Sequence, residues 1–169
     1  ARWVRVAIHK AIREPARLDE IEVYGSDSEA EAARLAGNPT TLPVTPEQDA
    51  AGGCDGVKNG RFGFHTASGE QDPWWQVDLG TSRAIGRIVV YNRLDYKPGL
   101  HNADRVWLLT SDDGVRWIVR YENDGTHFGG ITGAPPLNVT FDAGTLTARF
   151  VRLQIPSRQS VFFHLDEVE

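Results

Sequence analysis

Cysteine is almost missing from this chain. Cys54 is the only one in 169 residues, so no intrachain disulfide can hold the fold together. Methionine is absent altogether. With a strand-like start at Ala1, this reads as a piece excised from a longer protein, and any leader would be out of view. No apolar run approaches the ~18–20 residues that a membrane helix needs, so membrane insertion is not expected. A long Lys/Arg run is also lacking, and 18 basic residues face 23 acidic ones for a net charge of −5. That balance removes the electrostatic footprint of a nucleic-acid or anionic-membrane binder. No nucleophile elbow, phosphate-binding glycine loop, His-Glu-x-x-His or Cys-x-x-Cys motif is present. Each of those patterns brings a nucleophile, base or ligand set together locally. Asp112-Asp113 lies in a turn sequence and reads as solvated, so the chain is expected not to be an enzyme.

What is present supports a folded core. Forty per cent of the residues are hydrophobic and five are Trp, which excludes the disordered class. The length suits one ordinary domain with a short extension. Strand signals dominate: Trp74–Leu79, Ala84–Asn92, Arg105–Thr110, Arg116–Tyr121, Leu137–Phe141 and Arg149–Ile155 are short and rich in Val, Ile, Leu and aromatics. Turn residues separate them. Ser111-Asp112-Asp113-Gly114 joins two of these runs and predicts a hairpin turn. Ser28–Leu35 has helical propensity and predicts one short helix. Many short strands at even spacing predict an all-β antiparallel sandwich of the jelly-roll type. Trp74, Trp75, Trp107 and Trp117 are then expected to be mostly core.

An internal repeat is also visible. Ala1-Arg2-Trp3-Val4-Arg5-Val6 matches Ala148-Arg149-Phe150-Val151-Arg152-Leu153, and Leu18-Asp19-Glu20-Ile21-Glu22 matches Leu165-Asp166-Glu167-Val168-Glu169. Both pairs share one offset, 147 positions, about the length of one such domain. The reading is a tandem array, with residues 1–27 the tail or partial copy of a preceding module and 28–169 the next one. The alternative is chance similarity between two β-rich termini.

Asp72-Pro73-Trp74-Trp75-Gln76-Val77-Asp78-Leu79-Gly80 is the strongest local motif. Ile85-Gly86-Arg87-Ile88-Val89-Val90-Tyr91-Asn92-Arg93 follows, then Ser111–Gly114 with Trp117, Ala148–Leu153 and a closing His164-Leu165-Asp166-Glu167. This order and spacing over about residues 30–169 resembles the discoidin family, also called the coagulation factor V/VIII C-type domain. That family includes galactose-type carbohydrate-binding modules and fucose-binding F-type lectins. The resemblance is specific for fold and less so for ligand, because one fold hosts many functions.

Gly52-Gly53-Cys54-Asp55-Gly56-Val57-Lys58-Asn59-Gly60 is a glycine-rich loop around a carboxylate. On its residues alone it is either a polar turn or a loop able to turn carbonyls toward calcium, which takes six to eight oxygen ligands. The resemblance favours the metal, because related lectins bind one structural calcium with an Asp-Gly loop and the closing Asp-Glu pair. Carried over, it implies side-chain oxygens from Asp55 and Glu167. Gly52, Val57, Thr66 and Asp166 would give backbone oxygens, with the Thr66 hydroxyl as a further donor.

Sugars are held by planar hydrogen-bonding side chains and an aromatic face, set in loops on a rigid sandwich. The F-type lectin pattern is a His, an Arg-x-Asp and a second basic residue five positions after the Asp. His65 and Arg93-Leu94-Asp95 resemble it, but Leu100 stands at the second basic position, with His101 and Lys97 nearby. That departure puts fucose specificity in question. Galactose-type modules use a His, an Arg, an Asn and an aromatic residue from the last loop, parts open to His65, Arg93, Asn102 and Phe162 or Phe163. Alternation with Val161 and Leu165 predicts Phe163 inward and Phe162 outward. Two bland readings stand beside these: His65 only shapes the metal loop, and Arg93–Asp95 is a structural ion pair.

The expectation is therefore a non-catalytic, calcium-stabilised module that targets its parent protein to glycans. An extracellular, cell-surface or periplasmic setting is favoured. The alternatives are a protein- or lipid-binding discoidin domain, or a structural spacer in a tandem array.

Overall fold

The computed structural model describes residues 46–67 and 70–169. The helix expected at Ser28–Leu35 and the first copy of the repeat lie outside these residues. Every strand pair among the described residues is antiparallel. A short helix, α1 (Pro46–Ala51), runs into a 3-10 turn at Gly52–Cys54 and then β1 (Phe64–His65). The main strands are β2 (Trp74–Ala84), β3 (Arg87–Tyr91), β4 (Trp107–Ser111), β5 (Ile118–Glu122), β6 (Leu137–Thr140) and β7 (Thr147–Gln154). Two short strands close the chain, β8 (His164–Leu165) and β9 (Glu167–Val168). They form a four-stranded sheet in the order β2-β7-β4-β5, a three-stranded sheet β6-β3-β9 and a two-stranded ribbon β1-β8. No helix among the described residues is long and apolar enough to cross a membrane.

The sandwich follows from period-two patterning. Trp75 and Val77 of β2, Val151 and Leu153 of β7 and Leu108 of β4 point inward, against Ile88 and Val90 of β3, Val139 of β6 and Val168 of β9. Phe64, Trp75 and Phe163 pack at one end, with ring centroids 5.7 Å and 5.2 Å from Phe64 to the other two. The Trp75 indole N–H donates to the Ala50 carbonyl at 2.8 Å, which locks α1 onto the sheet. Phe163 is buried and Phe162 is 46% exposed, as alternation requires.

The tryptophan expectation needs correction. Only Trp75 is core; Trp74, Trp107 and Trp117 are half-buried. The register explains it. Trp74 and Gln76 share a face with Arg152 and Gln154 of β7, and with Trp107 and Leu109 of β4. That face is turned away from the core. There the Arg152 guanidinium lies 4.3 Å from the Trp74 ring and 3.8 Å from the Trp117 ring. A planar cation between two aromatic faces is a stable way to cover a sheet without a second layer.

The β4–β5 connection is the expected hairpin. The Ser111 hydroxyl accepts from the Gly114 N–H at 2.9 Å, and Gly114 takes φ +72°. On the other side of β5, buried Asn123 donates to the carbonyls of Asp104 and Thr126, both at 2.7 Å, and accepts from the Tyr121 hydroxyl at 3.0 Å. Asn123→Ala strands these groups. Unmet buried polar groups cost about 1–3 kcal/mol, so a fall of that size in unfolding free energy by urea titration is expected. A loss below about 0.5 kcal/mol would show that Asn123 does not hold these loops.

Candidate functional site

The residues singled out by sequence, His101 excepted, fall around the end of the sandwich where β1 pairs β8. Gly63, just before β1, accounts for the local geometry. A Cβ built on it would meet the carbonyl oxygens of Gly52 and Asp166, each at 2.2 Å. Both carbonyl oxygens therefore crowd Gly63, and only glycine fits beside them. Nearby, the Gly56 N–H donates to Oε1 of Glu167 at 2.9 Å, and Asp55 Oδ1 accepts from the Val57 N–H at 2.8 Å. Glu167 is buried, and its Oε2 has no hydrogen-bond partner among the described residues. Burial, reinforced by repulsion from Asp55 and Glu169, pushes the Glu167 carboxyl up to about 7. The Cys54 thiol is pushed up to about 12, by burial and by the charges of Glu167 and Asp55.

Four of the six residues proposed as metal ligands from sequence, Gly52, Asp55, Asp166 and Glu167, are thus brought together. The oxygen types present here, a buried carboxylate oxygen without a hydrogen-bond partner, a second carboxylate and backbone carbonyls, are those a hard cation takes. Val57 continues the same loop. Thr66 sits one step further along β1, and its hydroxyl accepts from the Phe163 N–H at 3.1 Å. The Asp166 side chain is otherwise used: its carboxylate accepts from the N–H groups of Asn59 (3.3 Å) and Gly60 (2.8 Å).

Gly60 couples this loop to the second cluster. Its carbonyl accepts from the N–H groups of both Leu94 (2.7 Å) and Asp95 (3.0 Å), while its own N–H is held by Asp166. Gly60 takes φ +79°, a conformation that L side chains rarely adopt. Just above it, Arg93 Nε donates to Asp95 Oδ1 at 2.5 Å. The Arg93 guanidinium lies 4.9 Å from the Phe62 ring and 5.0 Å from the Tyr96 ring. Phe62 in turn packs 5.0 Å from the His65 ring. The backbone N–H of His65 donates to Asp49 Oδ2 of α1 at 2.9 Å, and the ring Nδ1 lies 3.9 Å from the same oxygen. Beneath them His164 accepts an edge contact from Tyr96 at 5.9 Å. Burial, with the Arg93 charge adding to it, pushes its imidazole down to about 4, so it stays neutral.

His65, Arg93 and Asp95 therefore form one group. Asn102 and Phe162 are joined to each other, with Asn102 Nδ2 donating to the Phe162 carbonyl at 2.9 Å, and Asn102 lines a cleft with His101 and Asp104. His101 turns elsewhere, its Nδ1 lying 2.7 Å from Asp104 Oδ2. Sequence reasoning missed Phe62, Tyr96 and Asp49. Tyr96 directly follows Arg93-Leu94-Asp95 and Phe62 lies three residues before His65, so proximity to the motif was a usable signal. Asp49 gave none, because its role depends on how α1 docks.

A planar cation held between two aromatic faces, beside an exposed imidazole and a half-exposed carboxylate, can donate and accept several hydrogen bonds at fixed angles. That is the chemistry a polyhydroxylated ligand requires.

Comparison with known proteins agrees with this fold. A family model described as F5/8 type C domain matches residues 22–168. The lectin domain of Lectinolysin, solved in complex with Lewis B antigen, is 27% identical. It covers 71% of this chain and 81% of its own, with a TM-score of 0.55. A fucolectin from striped bass (Morone saxatilis) serum is 22% identical, covering 75% of this chain and 43% of its own, with a TM-score of 0.60. A fucose binding module of Streptococcus pneumoniae is 22% identical, covering 77% and 85%, with a TM-score of 0.54. A comparison with curated proteins gave no match.

Proposed function

The chain belongs to the F5/8 type C domain family, and from that premise we propose that it is a non-catalytic glycan-binding module stabilised by calcium, which targets its parent protein to glycans. The observation that carries this reading is Arg93, clamped between Phe62 and Tyr96 and bonded to Asp95, with His65 alongside.

The clamp fixes one rotamer of a side chain that otherwise carries about 2 kcal/mol of conformational entropy. A sugar arriving at the rim meets donors already in place, which lowers the ordering cost of binding. Arg93 would donate from its guanidinium to ring hydroxyls, and Asp95 would accept. His65, whose backbone is held by Asp49, would serve as donor or acceptor according to tautomer. Tyr96, 41% exposed, offers a ring face for the apolar side of a pyranose. Leu100 at the second basic position removes one cationic contact, and its carbonyl accepts from Asn92 Nδ2 at 2.8 Å. The module is therefore expected to depart from strict fucose selectivity.

Calcium, when bound, would supply a divalent positive centre that neutralises the buried Glu167 carboxylate and the exposed Asp55 beside it. Asp55 and Glu167 would hold it by carboxylates, Gly52, Val57 and Asp166 by backbone oxygens, and Thr66 by backbone and hydroxyl oxygens. Fixing that loop fixes Gly60, and Gly60 holds Leu94 and Asp95 in register. The metal would thus act on the sugar site by positioning it.

Calorimetric titration of calcium-loaded protein with fucosyl, galactosyl and uronic-acid oligosaccharides tests the reading. Saturable one-site binding to at least one class is expected. Folded protein that binds none of them would refute it.

A further inference from the structure

We propose that His101, Asp104 and His127 form a binding site for a borderline divalent metal ion, for which Zn2+ is the probe. The site is separate from the calcium loop and opens onto its own cleft, and it does not rest on the glycan reading. His101 and Asp104 lie three residues apart on the turn that follows the 3-10 turn Lys97–Gly99, and His127 lies on the loop after β5. The Nδ1 atoms of His101 and His127 flank the Asp104 carboxylate, 2.7 Å from Oδ2 and 2.9 Å from Oδ1. The two imidazole centroids are 4.5 Å apart. One donor atom from each of the three residues lies within 4.8 Å of the others.

What distinguishes this cluster from a chance surface contact is how its loops are held. Asn92 is fully buried and donates to the carbonyls of Leu100 (2.8 Å) and Phe128 (3.2 Å), each one residue from a histidine of the cluster. Asn123, also buried, donates to the carbonyls of Asp104 and Thr126, the latter one residue before His127. Two interior amides therefore staple the same two loops on either side of the cluster. A site whose backbone is fixed in this way loses little order when a ligand arrives.

The donor chemistry selects the ion. Two imidazole nitrogens and one carboxylate oxygen suit zinc and its neighbours, whereas calcium takes oxygen ligands. Around tetrahedral zinc, with bonds of about 2.0–2.1 Å, ligand atoms stand about 3.3 Å apart. The two histidine–carboxylate contacts must open by roughly half an ångström. His101 has the freedom to do so, since 73% of its side chain is exposed, while Asp104 stays anchored. Each imidazole would bind as the neutral ring, presenting a lone pair to the metal where it now faces the carboxylate. His101 and Asp104 line a cleft of about 420 Å³ together with Asn102, Arg105 and Ser157. The fourth coordination position would face that cleft and hold water or an exogenous donor. Arg105, which lines the same cleft, interacts electrostatically with Asp124.

The test is calorimetric titration of the whole chain with Zn2+ at pH 7.5 in calcium-containing buffer, repeated with His127→Gln and His101→Gln. Saturable binding of one equivalent is expected, weakened about tenfold or more in each variant. Co2+ added to the unmodified protein should give the visible absorption of a low-coordinate nitrogen–oxygen site, which does not depend on any variant folding. Absence of saturable Zn2+ binding, or affinity unchanged in both variants, would overturn the assignment.

Discussion

Replacing Arg93 with Ala should eliminate measurable glycan binding while leaving the protein folded. A hydrogen bond involving a charged group contributes about 1.5–3 kcal/mol, and Arg93 would supply more than one. A loss on the order of a hundredfold in affinity follows at 1.4 kcal/mol per tenfold. The cost to the fold is small. The Asp95 side chain is 42% exposed and that of Arg93 17%, so the ion pair itself contributes about 1 kcal/mol or less, and the lost packing against Phe62 and Tyr96 adds a modest cost. Arg93→Lys is informative too, because it keeps the charge and loses the planar fork that Phe62 and Tyr96 clamp. It should recover little of the affinity. Titration beside a thermal melt checks both variants; full binding by a folded R93A protein would remove the proposed sugar site.

Stripping calcium should lower the melting temperature and change its dependence on pH. At a hundredfold excess over Kd, a ligand stabilises by about 2.7 kcal/mol, equivalent to a shift of several degrees in a chain of this size. The pH response follows from two buried groups. In the metal-free fold the Glu167 carboxyl sits at about 7, against an ordinary 4.5. Its proton stabilises the fold fully below pH 4.5, and that contribution is lost as pH rises through 7. His164 sits at about 4, against 6.5. Its contribution is present above pH 6.5 and is lost as pH falls toward 4. At about 1.4 kcal/mol per unit the two are similar in size and opposite in slope, so the metal-free protein should respond weakly between pH 4.5 and 6.5. Bound calcium keeps Glu167 ionised, so that group no longer offsets the His164 slope. The loaded protein should therefore lose stability on acidification where the metal-free one does not. Glu167→Gln should abolish the calcium response. A wild-type melting temperature indifferent to calcium and to chelator would exclude the metal.

The same loop carries an expectation for affinity. Because Gly60 links Asp166 to Leu94 and Asp95, chelation should weaken glycan binding as well as stability. The effect should be smaller than that of R93A, since calcium touches no sugar in this reading. The size of the drop measures how far loop order, as distinct from direct contact, contributes to recognition.

The sequence by itself determined the strand pattern, the hairpin at Ser111–Gly114, the inward Phe163 and outward Phe162, and the family. Those properties are local. Period-two alternation, turn residues and short motifs are written in neighbouring positions and survive without knowledge of the partner strand. The tertiary structure decided the rest, because it depends on register and loop approach across long separations. Only the pairing of β2 with β7 shows that Trp74 faces away from the core while Trp75 fills it. Only the meeting of the segments around Phe62 and Tyr96 makes a clamp for Arg93. His101 resembled a sugar contact in sequence, yet Asn92 and Asn123, buried donors with no local signature, set its loop against that of His127. A side chain's chemistry is fixed by its own residue, but its partners are fixed by the backbone that brings distant loops to one rim.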